Sequence, residues 1–149
     1  MNKRLKRLEP VQRLKHFHER DAARRLGEDQ RALDAQRSRL DELLRYREDY
    51  LARYQQVLSA GGLGGQPLQE YRVFLERLDQ AIGQQRLNVE RGEQACVQAR
   101  DQWLATRTDV KVIDKVVEQS RQSIERQRMK REQGESDERA QYRKPPEQG

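Results

Sequence analysis

The sequence has little of what compact domains and enzymes are made from. Only 34% of its 149 residues are hydrophobic, 5% are aromatic, and the single cysteine, Cys96, excludes an internal disulfide. A compact domain usually has a larger apolar share, so a wide core is not expected. No apolar run approaches the roughly 20 residues of a membrane span, and the basic start lacks the apolar segment of a signal peptide. We therefore expect one elongated, cytoplasmic domain.

Charge is abundant instead. Charged residues make up 38% of the chain, and the formal net charge is +6. Basic side chains clearly outnumber acidic ones within residues 1–25. Such an end could meet nucleic acid, an anionic membrane surface or an acidic protein pocket, and a solvated helix face is an equally good interpretation.

The second half of the chain carries an unbroken heptad pattern. Its positions follow one another at alternating steps of three and four, which makes a helix bury one narrow seam against a partner helix. The positions are Leu68, Tyr71, Leu75, Leu78, Ile82, Gln85, Val89, Gly92, Cys96, Ala99, Trp103, Thr106, Val110, Ile113, Val117, Ser120 and Ile124.

The first half carries a weaker version of the same pattern. Gln30, Arg37 and Arg47 interrupt it, and the apolar residues upstream of Ala22 fall out of its register. We therefore expect a stutter or a frayed start there. The clearest positions are Ala23, Leu26, Leu33, Leu40, Leu44, Leu51, Tyr54 and Leu58.

A glycine-rich break at 59–67 separates the two halves and is short enough to reverse the chain. The predicted fold is all-α, a long two-helix antiparallel coiled-coil hairpin over residues 1–131. Helix 1 is predicted at about 10–58, with Pro10 in its first turn, and helix 2 at about 68–131. Residues 132–149 are predicted to be a flexible charged tail. The preferred register places Leu33 against Val89 and Tyr54 against Leu68.

Nothing in the sequence predicts catalysis. His16 and His18 would point about 200° apart on a helix, so they cannot share one ion. The glycine-rich segment lacks the lysine and hydroxyl residue of a phosphate loop. A two-helix hairpin also offers no pocket that would tune a carboxylate. We expect no catalytic residue, no cofactor and no metal site.

One apolar set is not explained by the seam. Leu43, Tyr46, Tyr50 and Val57 lie beside it on helix 1, and helix 2 has Phe74 and Ala81. An aromatic patch of this kind usually marks a contact site. A wider local packing of the hairpin and a homodimer through the patch are alternatives.

Four stretches, in order and at similar spacing, resemble the FliJ family, a soluble component of the flagellar type III protein export apparatus. They are residues 21–28, 43–50 and 71–86, and Trp103 followed by a charged helix and by Arg143, Lys144 and Pro145. The resemblance spans nearly the whole chain. It implies a non-enzymatic coiled-coil stalk similar to the rotor stalk of rotary ATP synthases.

The resemblance also implies partners. The end formed by both termini would enter the ring of the export ATPase FliI and promote its assembly and activity. A side patch would contact the membrane export gate protein FlhA, and FliH and export chaperones are further partners. The protein would then lie at the cytoplasmic face of the inner membrane through these partners, with no nucleic acid bound.

Residues can be assigned to these roles from the resemblance. Arg39 and Gln85 depart from the family's pattern at their positions. The gate-binding positions are Arg39, Leu43, Tyr46, Tyr50, Phe74, Leu78, Ala81 and Gln85, and the ATPase-facing positions are Arg13, Arg20, Arg24 and Arg25. Two alternatives stay open, namely the equivalent stalk of a virulence injectisome and a basic nucleic-acid-binding coiled coil.

Overall fold

The computed structural model of the protein describes residues 2–62 and 64–142. It contains helix α1 over Asn2–Ser59 and helix α2 over Gly65–Tyr142, with no strand among the described residues. The two helices pack against each other, and the residues in contact run in opposite chain order, from Arg37 with Glu93 to Arg47 with Asp79. The predicted all-α antiparallel two-helix hairpin is confirmed.

Helix α1 ends in a Schellman motif that satisfies its last carbonyl groups. The N–H of Gly62 donates to the carbonyl of Val57 at 3.2 Å, and the N–H of Gly61 donates to that of Leu58 at 3.5 Å. Gly61 and Gly62 have φ of 125° and 84°, a region that side chains with a Cβ rarely adopt. The glycine-rich break therefore ends the helix through backbone geometry. Leu63 lies outside the described residues.

Both helices extend further than the sequence suggested. Helix α1 begins at Asn2, so Pro10 lies inside the helix and not in its first turn. Leu5 and Leu8 are half-buried, and their burial favours a helical conformation on the N-terminal side of Pro10.

Helix α2 continues through the predicted tail as far as Tyr142, while residues 143–149 lie outside the described part. The residues of α2 from Glu125 to Tyr142 are exposed. Good helix formers and local pairs favour helix there, such as Arg128 with Glu125 at 2.8 Å and with Glu132 at 3.9 Å.

The chain divides into two compact units, each of which contains parts of both helices. We call Ala22–Trp103 the turn unit, and Met1–Asp21 with Leu104–Gly149 the end unit. Every position of the heptad pattern predicted on α2 is buried or half-buried. That part of the sequence prediction is confirmed.

In the turn unit, the register differs from the predicted one. Leu33 faces Gly92, because a Cβ placed on Gly92 would lie 3.1 Å from Leu33 Cδ1 and 3.7 Å from its Cα. Tyr54 stacks on Tyr71, with ring centroids 3.9 Å apart. The predicted pairing of Leu33 with Val89 and of Tyr54 with Leu68 was therefore wrong by about one helical turn.

The error has a definite origin in α1. The residues that face α2 after Leu26 follow a step of three and then of four, and they include two polar side chains, Asp29 and Gln36. The sequence prediction instead followed Leu44, Leu51 and Leu58. It therefore placed every second seam position one residue too late, at Gln30 and Arg37 in place of Asp29 and Gln36. Ala22 is buried and Ala23 is exposed, and Leu58 is 47% exposed.

In the end unit, α1 shows neither the predicted stutter nor a frayed start. The half-buried residues keep regular steps of three and four, but several of them are polar. The apolar Val11, Leu14 and Phe17 are exposed instead, which explains why they fell out of register. The regular half-buried positions are Leu5, Leu8, Gln12, Lys15 and Glu19.

Polar contacts join the two helices within this unit. Gln12 Nε2 donates to Asp114 Oδ1 at 2.9 Å, and His16 Nε2 lies 2.7 Å from the same oxygen. Lys15 Nζ lies 3.7 Å from Asp109 Oδ2. These two hydrogen bonds lower the pKa of Asp114 below its ordinary value, and the bond from Gln12 has the larger effect.

Candidate functional site

Five aromatic side chains cluster in the turn unit, partly in the seam and partly beside it, and we call them the aromatic face. Tyr46, Tyr50 and Tyr54 follow one another at steps of four on α1, which places them on one side of that helix. Tyr71 and Phe74 are three residues apart on α2 and meet them from the other side. The Tyr50 ring lies 4.2 Å from the Tyr71 ring and 4.5 Å from the Phe74 ring, centroid to centroid.

The aromatic face has an inner and an outer part. Tyr50, Tyr54 and Tyr71 are half-buried, and the hydroxyl of Tyr71 donates to the carbonyl of Tyr50 at 2.5 Å. Burial raises the pKa of both Tyr50 and Tyr71. These inner rings stack across the two helices and hold the outer ones in place.

The outer part consists of Tyr46 and Phe74. Tyr46 is 52% exposed and Phe74 is 36% exposed. Their ring centroids lie 6.1 Å apart in an edge-to-face arrangement, which is a favourable geometry for aromatic pairs. Two large rings fixed at the surface on a packed base form the kind of anchor that protein interfaces use.

An open groove in the same unit contains four of the eight predicted gate-binding residues. Arg39 and Ala81 are exposed, Leu43 is half-buried, and Gln85 is buried. The complete lining consists of Gln36, Arg39, Leu43, Ala81, Gln84, Gln85 and Asn88.

Gln85 has a different role from the one its position in the predicted patch suggests. Only 4% of the residue is exposed, so it cannot offer a partner much surface. Its Nε2 donates to the backbone carbonyl of Gln36 at 2.8 Å and to Gln36 Oε1 at 2.7 Å. Asn88 Nδ2 donates to Gln85 Oε1 at 3.2 Å. This amide cluster links α1 to α2 beneath the groove.

Burial therefore divides the eight predicted positions. Leu78, at 7% exposed, and Gln85 lie between the helices. Leu43 and Tyr50 are half-buried, which partly agrees with the alternative of a wider local packing. The accessible members are Arg39, Tyr46, Phe74 and Ala81. The sequence analysis missed Gln36, whose signal was its position three residues after Leu33.

Charged pairs between the helices flank this region. Arg47 Nε donates to Asp79 Oδ1 at 2.6 Å, and this hydrogen bond raises the pKa of Arg47. Arg37 Nη2 lies 3.4 Å from Glu93 Oε1. Exposed ion pairs add little stability, but they favour this alignment of the helices over a shifted one.

The four arginines predicted to face the ATPase belong to different units. Arg13 and Arg20 are exposed on α1 of the end unit. Arg24 and Arg25 are exposed on α1 of the turn unit, where Arg24 Nη1 pairs with Glu28 Oε1 at 2.7 Å. The structure therefore does not bring all four together in one unit.

Within the described residues, no group of three or more His, Cys, Asp or Glu side chains could hold a metal ion. His16 instead contacts Asp114, and His18 is exposed beside Phe17. None of the helices described is long and apolar enough to cross a membrane.

These features define a helical-hairpin coiled coil that exposes an aromatic face and a groove in its turn unit and a basic surface in its end unit. A family model described as "Flagellar FliJ protein" matches residues 4–144. The chain therefore belongs to the FliJ family, as the resemblance in the sequence suggested. The family is a non-catalytic component of the flagellar export apparatus. No curated protein and no solved structure matches the chain.

Proposed function

We propose that this protein is a non-enzymatic stalk and adaptor that couples the flagellar export ATPase to the membrane export gate. The observation that carries the proposal is the pair of outer rings, Tyr46 and Phe74, held at the surface by the stacked tyrosines below them. A FliJ-family protein has to be recognised by the other parts of the export apparatus, and this is the best-formed contact surface in the turn unit.

The aromatic face and the adjacent groove form the proposed contact for the gate protein FlhA. Tyr46 and Phe74 supply apolar surface, and Arg39 supplies a charge at the edge of the groove. Rings at the centre of an interface commonly carry most of its binding energy, while the polar rim sets specificity. Leu78 and Gln85 support this surface from below and do not touch the partner.

The basic part of α1 is the proposed contact for the ATPase FliI, through Arg13, Arg20, Arg24 and Arg25. All four side chains are exposed in the free protein, so acidic groups of a ring can approach them directly. Exposed charges favour fast, reversible association over a tight socket. Contact with FliI would promote ring assembly and turnover. FliH and export chaperones are proposed as further partners, and these contacts would keep the protein at the cytoplasmic face of the inner membrane.

Calorimetric titration with the cytoplasmic part of FlhA tests the gate contact. Changing Tyr46→Ala together with Phe74→Ala is expected to weaken binding at least about tenfold, since each ring removed from an interface core commonly costs more than 1 kcal/mol. Val73→Ala is the matched control, because Val73 is 40% exposed and next to Phe74 in sequence. Equal affinity of the double variant and the control would refute this surface.

ATPase turnover tests the basic contact. Arg13→Glu with Arg20→Glu is expected to reduce stimulation of FliI and ring formation. Arg53→Glu with Arg72→Glu is the control, since it changes the net charge equally at exposed positions of the turn unit. If both double variants lose stimulation to the same extent, the effect is one of net charge, and the placement of the ATPase contact is refuted.

A further inference from the structure

Between residues 11 and 17, α1 of the end unit leaves much of three large apolar side chains exposed to solvent. Val11, Leu14 and Phe17 are 42%, 52% and 57% exposed, and we call these three residues the outer stripe. Their spacing of three places them along one side of α1. Half or more of a phenylalanine or leucine left in water is a cost that contact with another surface would remove.

The outer stripe faces away from α2. The side of α1 that meets α2 is given by its contacts, since Gln12 and His16 both bond to Asp114 and Lys15 approaches Asp109. From Val11 to Phe17, α1 therefore turns polar groups toward its partner helix and apolar groups outward, whereas the earlier Leu5 and Leu8 are half-buried. The usual arrangement of an amphipathic helix in a hairpin is the reverse.

The exposed charges on α1 around the outer stripe have one sign. Between Lys3 and Asp21, every exposed charged side chain is basic, whereas the acidic Glu9, Glu19 and Asp21 are half-buried. The exposed basic residues are Lys3, Arg4, Lys6, Arg7, Arg13 and Arg20. A surface that is apolar at its centre and basic around it is complementary to one that is apolar with an acidic border.

The spacing of the basic residues indicates the shape of that partner. Lys6, Arg13 and Arg20 are seven residues apart, so they form a row along α1 that comes closest to the outer stripe beside Phe17. A second helix packed on the stripe repeats with the same period and can carry an acidic residue opposite each member of the row. A lipid surface has no such period, and a stripe of three side chains is narrow for insertion into a bilayer.

From this geometry, we propose that the outer stripe and its basic row bind an amphipathic helix of a partner protein, with apolar residues on one side and a heptad-spaced acidic row beside them. The inference deepens the proposed ATPase contact by naming the chemistry of the partner surface. Only the identity of the partner, the ATPase, rests on the proposed function.

A designed probe tests the chemistry directly. The full-length protein is titrated with a synthetic helix of three heptads that carries leucine on one stripe and glutamate in the flanking rows. A peptide of the same composition in scrambled order, and one with lysine in place of glutamate, are titrated in parallel. We expect binding of the glutamate helix and little binding of the other two.

Variants then assign the binding to the outer stripe. Leu14→Ser with Phe17→Ser keeps every charge and is expected to weaken binding of the glutamate helix about tenfold or more. Arg13→Glu with Arg20→Glu is expected to lose the glutamate helix and gain the lysine helix. Val112→Ser is the control, since Val112 lies on α2 of the same unit and is 59% exposed. Far-ultraviolet circular dichroism checks that all variants stay helical.

Several outcomes would overturn the inference. They are unchanged affinity of the Leu14→Ser/Phe17→Ser variant, equal binding of the scrambled peptide, and tighter binding of phosphatidylglycerol vesicles or of a DNA duplex than of the glutamate helix. The proposed function is judged separately by FliI stimulation. If the wild-type protein stimulates FliI but fails the peptide test, the inference falls and the function stands. If it binds the peptide but not FliI, the inference stands and its link to the ATPase falls.

Discussion

The two units of this protein use the same pair of helices in different ways. In the turn unit, leucines, Ile82 and three stacked tyrosines fill the space between α1 and α2. The exposed rings of Tyr46 and Phe74 pack against these tyrosines. In the end unit, α1 offers Gln12, Lys15 and His16 to α2 and leaves Leu14 and Phe17 exposed.

The difference shows where a narrow coiled coil can place a binding surface. A hairpin with one narrow seam has little interior volume for an enclosed pocket, so a partner must use side chains that the seam does not need. The turn unit obtains such side chains by packing more aromatic residues than the seam can cover. The end unit obtains them by filling part of the seam with polar residues. Mutations should therefore affect the two units in different ways.

The largest expected difference concerns buried apolar residues in the turn unit. Ile82 is 5% exposed, so Ile82→Ala should lower the free energy of unfolding by about 2–4 kcal/mol through lost burial and a cavity. Gln12→Ala, which removes one partly exposed contact of the end unit, should cost less than about 1 kcal/mol. Urea denaturation followed by circular dichroism compares them, and similar losses would show that the two interfaces do not differ in this way.

A second prediction concerns the amide cluster of the turn unit. Gln85→Leu removes the donor that bonds to Gln36 and leaves the part-buried Gln36 Oε1 without it, so it should cost about 1–2 kcal/mol even though leucine is more hydrophobic. Gln84→Leu, at an exposed position of the same groove, should change stability by less than about 0.5 kcal/mol. A higher melting temperature of the Gln85→Leu variant would contradict the role of the amide cluster in linking α1 to α2.

A third prediction uses alkaline pH to weaken the turn unit selectively. Burial raises the pKa of Tyr50 and Tyr71 above the ordinary 10.0, so the folded state favours their neutral forms. Their contribution to stability should be complete below pH 10 and be lost as the pH rises through the raised values. Absorbance at the tyrosinate band should show delayed ionisation, which disappears in a Tyr50→Phe/Tyr71→Phe variant. An unchanged titration of that variant would exclude these two tyrosines as the cause.

The smallest expected effect is an acid-dependent one in the end unit. The pKa of Asp114 is lowered from its ordinary 3.8 by hydrogen bonds from Gln12 and His16. Its contribution should therefore be present above pH 3.8 and be lost as the pH falls through the lowered value. The Asp114 side chain is 43% exposed, so the loss should be slight. The wild type should be slightly more stable than Asp114→Asn above pH 3.8, and the difference in the free energy of unfolding should shrink as the pH falls through the lowered value. A difference that stays the same at lower pH would contradict the assignment.

The sequence was sufficient to predict the hairpin and the buried side of α2. The heptad pattern on α2 is unbroken because its polar members, such as Gln85, are few. On α1, half-buried polar residues such as Asp29 and Gln36 resemble surface residues in the sequence, while Leu58 resembles a seam residue and is exposed. The register therefore could not be derived from apolar residues alone.

The same limit applies to the candidate site. Tyr46 and Phe74 could be predicted to lie beside the seam, and the structure does place both rings at the surface. The heptad pattern of α2 already places Leu78 and Gln85 in the seam, so their burial conflicts with the gate-binding role that the resemblance gives to these two positions. The inverted amphipathic character of α1 over residues 11–17 depends on the contacts of Gln12 and His16 with Asp114, which the sequence pattern does not reveal.

Site-specific photocrosslinking in motile cells tests the proposed contact surface most directly. A photoreactive amino acid is placed at Tyr46, at Phe74, or at Val97, an exposed position of α2 in the same unit but outside the aromatic face. The account predicts crosslinks to FlhA from positions 46 and 74 and none from position 97. Crosslinks to FlhA from position 97 alone would contradict it.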